Sequence, residues 1–199
     1  MVSDGDARGA AVALTDLDND SLVIRLHFTI NHLSRWLTPI HDQAPLGRSV
    51  RRGEPSVKEL VLRLRDEERR IFPRLHAIAN RTLPDLDQLP PVRREPEEEH
   101  YDREATTIEV MAQFRRVRQS TCSLLRGMPD NTWTNVGVSR REHDWTIRAL
   151  AERLARHDLD VLAEMDAALD RVGAREGIAT ASRAHLDELL RLAPGGTRR

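Results

Sequence analysis

Cysteine is nearly absent. Cys122 is the only one among 199 residues, which excludes a disulfide within the chain. It falls inside a predicted helix, where a lone cysteine behaves as a small apolar side chain. A nucleophilic role needs a polarising neighbour, and none is adjacent in sequence. Net charge is nearly absent too: 31 basic residues against 32 acidic ones leave −1. That balance argues against a nucleic-acid partner, which calls for a basic face. The short run RSVRR, Arg48 to Arg52, reads as solvated surface. No apolar run approaches membrane-spanning length, and the opening MVSDGDARGA lacks an apolar signal core. The expectation is a cytoplasmic protein with no membrane or nucleic-acid partner.

What is present is helical periodicity. Residues 1–18 are small and polar and read as a flexible tail; residues 19–193 read as a single helical domain and 194–199 as a disordered end. A first helix is predicted from about Asp20 to Ile40, with Asn19 or Asp20 as its cap and Leu22, Leu26, Ile30, Leu33, Leu37 and Ile40 as its apolar stripe. His27 flanks this stripe, and His32 lies next to it. After a Pro/Gly-rich linker, Ser56 and Glu59 form a capping box that starts the second helix. Its stripe is Val57, Leu60, Leu64, Ile71, Leu75 and Ile78, with Glu67 at the step between Leu64 and Ile71. A charge in that position must be paired or face a cavity. The neighbouring Arg65, Asp66, Arg69 and Arg70 read as a solvated run, and Pro73 predicts a kink.

Residues 80–104 hold several prolines and the acidic run at 95–99, and form a long connection. Thr106 and Glu109 make a second capping box for a third helix with the stripe Val110, Phe114, Val117, Thr121, Leu124 and Met128. A polar loop at 129–145 carries Trp133, a packing anchor, and His143. The next helix, Thr146 to Leu169, has the inner stripe Ile147, Leu150, Leu154, His157, Val161 and Met165 or Glu164. That spacing makes His157 a core position and turns Asp158 and Asp160 away. Gly173 and Gly177 end the pattern, and a short last helix is predicted at about Ala181 to Leu192, able to pack across the bundle or mediate a homodimer.

These elements make an all-α chain: a four-helix bundle with a long crossover between its second and third helices and a short extra C-terminal helix. SVKELVLRLRDEERRIFPRL, FRRVRQSTCSLLRGMPDNTW and TIRALAERLARHDLDVLAEM, taken in order, resemble the second, third and last bundle helices of the DinB/YfiT-like superfamily, from about Leu22 to Leu169. The resemblance implies a metal site of three histidines, one on the second helix and an H-x-x-x-H pair on the last, used for hydrolysis or for thiol-dependent transfer or isomerisation. An i, i+4 pair places both imidazoles on one helical face.

Aligned this way, the second-helix ligand position falls on Arg63 and the pair on His157 and Val161, so only His157 matches. Arginine has no acceptor and valine no ligating atom. The expectation is that the triad is degenerate and that neither metal nor another cofactor is bound. Arg63, Glu67 and His157 would instead form a polar cluster in the bundle interior, opening toward the loops and His143 and taking a small anionic ligand. Such a protein is a small-molecule-binding or dimeric scaffold bundle. The alternative is a metal-dependent hydrolase or a thiol-cofactor-dependent transferase or isomerase with Zn or Ni on a rearranged site of Glu67, His157 and His27 or His143. The sequence leaves catalysis open.

Overall fold

A computed structural model describes residues 13–49 and 51–174. Its helices are α1 (Asn19–Leu37), α2 (Val57–Asn80), α3 (Pro96–Glu104), α4 (Thr107–Arg126) and α5 (Ile147–Arg171), with a two-stranded ribbon, β1 (Val136–Gly137) and β2 (Trp145–Thr146), before α5. The four long helices form the bundle. α1 packs against α4 and α5, and so does α2, so the consecutive helices α1 and α2 stand diagonally opposite. The expected C-terminal helix at Ala181 to Leu192, with its dimer role, lies outside the described residues, as do residues 1–12 and 194–199.

Both predicted capping boxes form. The Ser56 and Thr106 hydroxyls accept from the Glu59 and Glu109 amides, and each glutamate accepts from its cap's own amide. α1 starts one residue before the expected span because Asp18 is the cap, accepting from Ser21 N at 2.6 Å. It ends at Leu37 because Pro39 has no N–H with which to extend the ladder. Leu14 and Leu17, expected to belong to a flexible tail, instead pack on the bundle. Leu14 is fully buried, and the Arg148 guanidinium donates to the carbonyls of Leu14 at 3.0 Å and Leu17 at 2.6 Å. α2 runs on through Pro73 to Asn80 as one helix.

Three charged residues expected to face outward, or not placed on any stripe, are in the middle of the bundle. Glu68, Arg118 and Asp158 are fully buried, and Arg25 on α1 is nearly so. Arg118 donates from Nε to Glu68 Oε2 at 2.7 Å, from Nη1 and Nη2 to the two Asp158 oxygens at 2.6 and 2.9 Å, and from Nη1 to the Leu26 carbonyl at 2.9 Å. Thr29 also donates to Asp158, at 2.7 Å, and accepts from Arg25 Nη1 at 3.3 Å. This layer touches all four bundle helices. It separates one apolar cluster around Leu26, Ile71, Cys122 and Leu154 from another around Ile30, Leu64, Phe114 and Val161. Burial alone would lower the Arg118 pKa, but the Asp158 and Glu68 carboxylates hold it above its ordinary value. For Arg25 burial prevails over the pull of Asp158, with Arg118 adding repulsion, and brings it down to about 10. Cys122, in the apolar cluster beside this layer, is pushed up to about 11 by burial, which keeps it a thiol.

The crossover is pinned the same way. Arg65 is 1 % exposed, not solvated as its sequence context suggests. Its guanidinium grips Asp102 of α3 through both oxygens at 2.5 and 2.6 Å, and reaches Gln113 of α4 at 2.7 Å. At the far end of α2, the β1 segment lies against the crossover: Leu86 N donates to Val138 O at 2.8 Å and Val138 N to Pro84 O at 2.9 Å. Gly137 makes that approach feasible. A Cβ there would come within 2.8 Å of Ile78 Cγ1 and Leu86 Cδ2, both buried. Gly137→Ala is therefore expected to destabilise the fold by about 1–3 kcal/mol, read as a shift of the urea midpoint with unchanged slope.

Candidate functional site

A cleft of about 650 Å³ opens between α2, the crossover and the loop at 139–142. One wall is the outer face of α2, carrying Arg63, Glu67, Arg70 and Arg74; α5 contributes His157; residues 89–94 of the crossover form the opposite side. A neighbouring depression shares Glu67, Arg70 and His157 with it and adds His143, Trp145 and Arg153. The predicted residues are thus partly brought together. Arg63, Glu67 and His157 line one cleft, and His143 lies in the adjoining depression across Glu67 and His157.

The cluster is not the interior one expected. Arg63 is exposed and bonds Glu164 of α5 at 2.9 Å, not Glu67. Glu67 is drawn instead to Arg70, through both oxygens at 2.6 to 3.0 Å, and to Arg153 Nε at 3.0 Å. Burial pushes its carboxyl pKa up, yet the hydrogen bonds from Arg70 and Arg153 hold it below the ordinary value, with His157 adding a smaller electrostatic pull. His157 is half-buried at the edge of the α5 stripe, because Asp158 takes the inner position. Its Nδ1 is buried and has no hydrogen-bond partner among the described residues. Val161 is 3 % exposed inside the apolar core and lines neither depression. The i−4 neighbour of His157 that faces the site is Arg153. His27 lies on α1, which contributes nothing to the cleft.

The donor set does not suit a divalent metal. Among the described residues no group of three His, Cys, Asp or Glu side chains could hold one. At Glu67 each carboxylate oxygen already accepts from a guanidinium, and a permanently cationic Arg153 stands beside His157. A metal site of this kind needs several anionic or neutral donors converging on one point, and cations at that point oppose it.

The loop that closes the cleft is held by carboxylates. Asp87 accepts from Ser139 Oγ at 2.8 Å and from the amides of Arg140 and Arg141 at 2.8 and 3.3 Å. Glu142 takes a two-pronged grip from Arg74 at 2.9 and 3.0 Å and a bond from Trp145 Nε1 at 3.0 Å. The Trp145 ring lies 4.0 Å from the His143 ring and 5.2 Å from the Arg153 guanidinium. The Arg74 hydrogen bond, outweighing burial, brings the Glu142 pKa from 4.5 to about 2. A depressed carboxylate stabilises the fold above its unfolded pKa and ceases to as pH falls through the folded one. The loop is therefore expected to loosen as pH drops from about 4.5 toward 2. Trp145 fluorescence followed through acid titration should show that transition, and Glu142→Gln should remove it.

Arg153, Arg74, Arg93 and Arg141 belong to the site and were not singled out by sequence reasoning. For Arg153 a signal existed, since it lies one helical turn before His157. The two loop arginines had none, because nothing local places 93 and 141 on the same cleft.

No protein-family model matches the sequence, and no curated protein matches it. Solved structures do resemble it. YfiT from Bacillus subtilis, "a probable metal-dependent hydrolase with an unusual four-helix bundle topology", superposes with a TM-score of 0.63 at 14% identity, over 87% of this chain and 93% of its own. A mutant of mycothiol-dependent maleylpyruvate isomerase superposes with a TM-score of 0.55 at 14% identity, over 78% of this chain and 62% of its own. Together with the helix order and the crossover, these likenesses establish that the chain has the DinB/YfiT-like fold.

Proposed function

We propose that this DinB-like bundle binds a small organic anion in the cleft beside α2, and that it does so without the three-histidine metal site of its superfamily. The observation that carries the reading is the charge of the lining: seven arginines against four carboxylates around a space of ligand size. Guanidinium forks suit carboxylates and phosphates, and low-dielectric walls strengthen the attraction.

His157 supports a second, catalytic reading. An imidazole that lines the cleft beside the Glu67 carboxylate has the chemistry of a general acid or base toward a bound anion. The hydrolase and thiol-dependent isomerase names of the structural neighbours fit such a role, which rests on His157 alone.

A thermal-shift panel of organic phosphates, mono- and dicarboxylates and matched neutral compounds tests the binding reading. Several anions should raise the melting temperature by a few degrees, and added salt should weaken the effect. Shifts from the neutral compounds alone, or from none, would overturn it.

A further inference from the structure

The excess positive charge of the cleft is not spread evenly over its arginines. Each of its four carboxylates is committed. Asp66 accepts from Arg65 at 2.9 and 3.0 Å and pairs with Arg94. Glu67 lies between Arg70 and Arg153 at 2.6 to 3.0 Å. Glu142 is held by Arg74 at 2.9 and 3.0 Å. Asp87 accepts from a hydroxyl and two backbone amides at 2.8 to 3.3 Å and, among the described residues, from no guanidinium, although Arg141 is near enough to draw on its charge. The other lining arginines, Arg63 and Arg69, pair with Glu164 at 2.9 Å and Glu98 at 3.5 Å, both outside the cleft lining.

Two guanidiniums remain. Among the described residues, neither Arg93, on the crossover, nor Arg141, on the loop after β1, makes a hydrogen bond or ion pair through its side chain, and both line the cleft. The Arg141 backbone is nevertheless fixed, because its amide is one of those donating to Asp87. The loop backbone is thus anchored beside the cleft, while the exposed Arg141 fork is left without a hydrogen bond among the described residues.

We propose that Arg93 and Arg141 are the anion-recognition residues of the cleft and that its ligand is an organic dianion. This deepens, and rests on, the anion-binding reading above. Two guanidinium forks with their hydrogen-bonding capacity unused, on separate connections of the fold, match two anionic groups better than one. The ligand therefore bridges the crossover and the 139–142 loop and leaves its organic body toward α2 and His157. A phosphate monoester and a dicarboxylate share this chemistry.

Isothermal titration at constant ionic strength separates these statements, with phenyl phosphate, phthalate and the monoanion benzoate as probes. The parent protein should bind at least one dianion about tenfold or more tighter than benzoate. Arg93→Gln and Arg141→Gln should each weaken that dianion about tenfold, and the pair about a hundredfold. Arg116→Gln, an exposed arginine of α4 outside the cleft, should change nothing. The preference between phenyl phosphate and phthalate tells phosphate monoester from dicarboxylate. Saturable binding untouched by either cleft substitution would overturn the assignment of Arg93 and Arg141 and leave the anion-binding cleft standing. Equal affinity for benzoate and both dianions would overturn the dianion. No saturable binding of any probe to the parent would overturn this inference and the binding reading together.

Discussion

Arg118→Met is expected to destabilise the bundle by about 3–5 kcal/mol, a large share of the roughly 5–15 kcal/mol that holds a domain together. The size comes from what is left behind. Arg118 is the cation between two fully buried carboxylates, Glu68 and Asp158, and also satisfies the Leu26 carbonyl. Its removal leaves two acids in an apolar interior, with one hydroxyl, from Thr29, and Arg25 behind that hydroxyl to offset Asp158, and nothing among the described residues bonded to the Glu68 carboxylate. Glu68→Gln should cost less, about 1–3 kcal/mol, since Arg118 keeps its two-pronged hold on Asp158. Urea unfolding followed by far-ultraviolet circular dichroism measures both. A loss below about 1 kcal/mol for Arg118→Met would mean that the layer does not exist as a buried unit. The layer also specifies register. Sliding α5 by one turn past α4 would move Asp158 about 5.4 Å from Arg118 and strand both charges.

Arg65→Met is the second large effect, and its character is different. Asp102, 6 % exposed, would lose both bonds to the guanidinium, yet α3 lies outside the four-helix core and can release it to water. The loss of about 3 kcal/mol should therefore appear as local opening and not as global unfolding. Amide hydrogen exchange across Pro96–Glu104 should accelerate about a hundredfold, while α1, α4 and α5 change little. Residues 89–94, the crossover wall of the cleft, are tethered through α3, so anion affinity should fall in the same variant. Equal acceleration in all helices would show that α3 is not separately docked.

The bundle, its capping boxes and its crossover were legible because they depend on local chemistry and on apolar periodicity. The buried charges were misread for one shared reason. Between Leu64 and Ile71, Phe114 and Thr121, and Leu154 and Val161, the sequence leaves a seven-residue interval that a helix can fill at either of two adjacent positions. Reading by apolarity or by family address placed 67, 117 and 157 inside. The structure places 68, 118 and 158 there. A helix read alone offers no ground for burying an acid or an arginine. Only the three taken together do, since Glu68 and Asp158 complement Arg118. The same one-residue step moves His157 to the edge of the cleft and Glu67 into reach of Arg153. The cleft itself was half legible. Its helical residues carried positional meaning, whereas Arg93 and Arg141 line one cleft only because the β1 segment lies against the crossover.

We propose that the position to which the DinB/YfiT-like resemblance assigns a metal is here a cationic, anion-binding surface. The most direct measurement is the metal content of protein purified without a histidine tag, by mass spectrometry for zinc, nickel, iron and manganese. The account predicts well under one equivalent of any of these, unchanged in His157→Ala. One equivalent of a single metal that disappears in His157→Ala would contradict it.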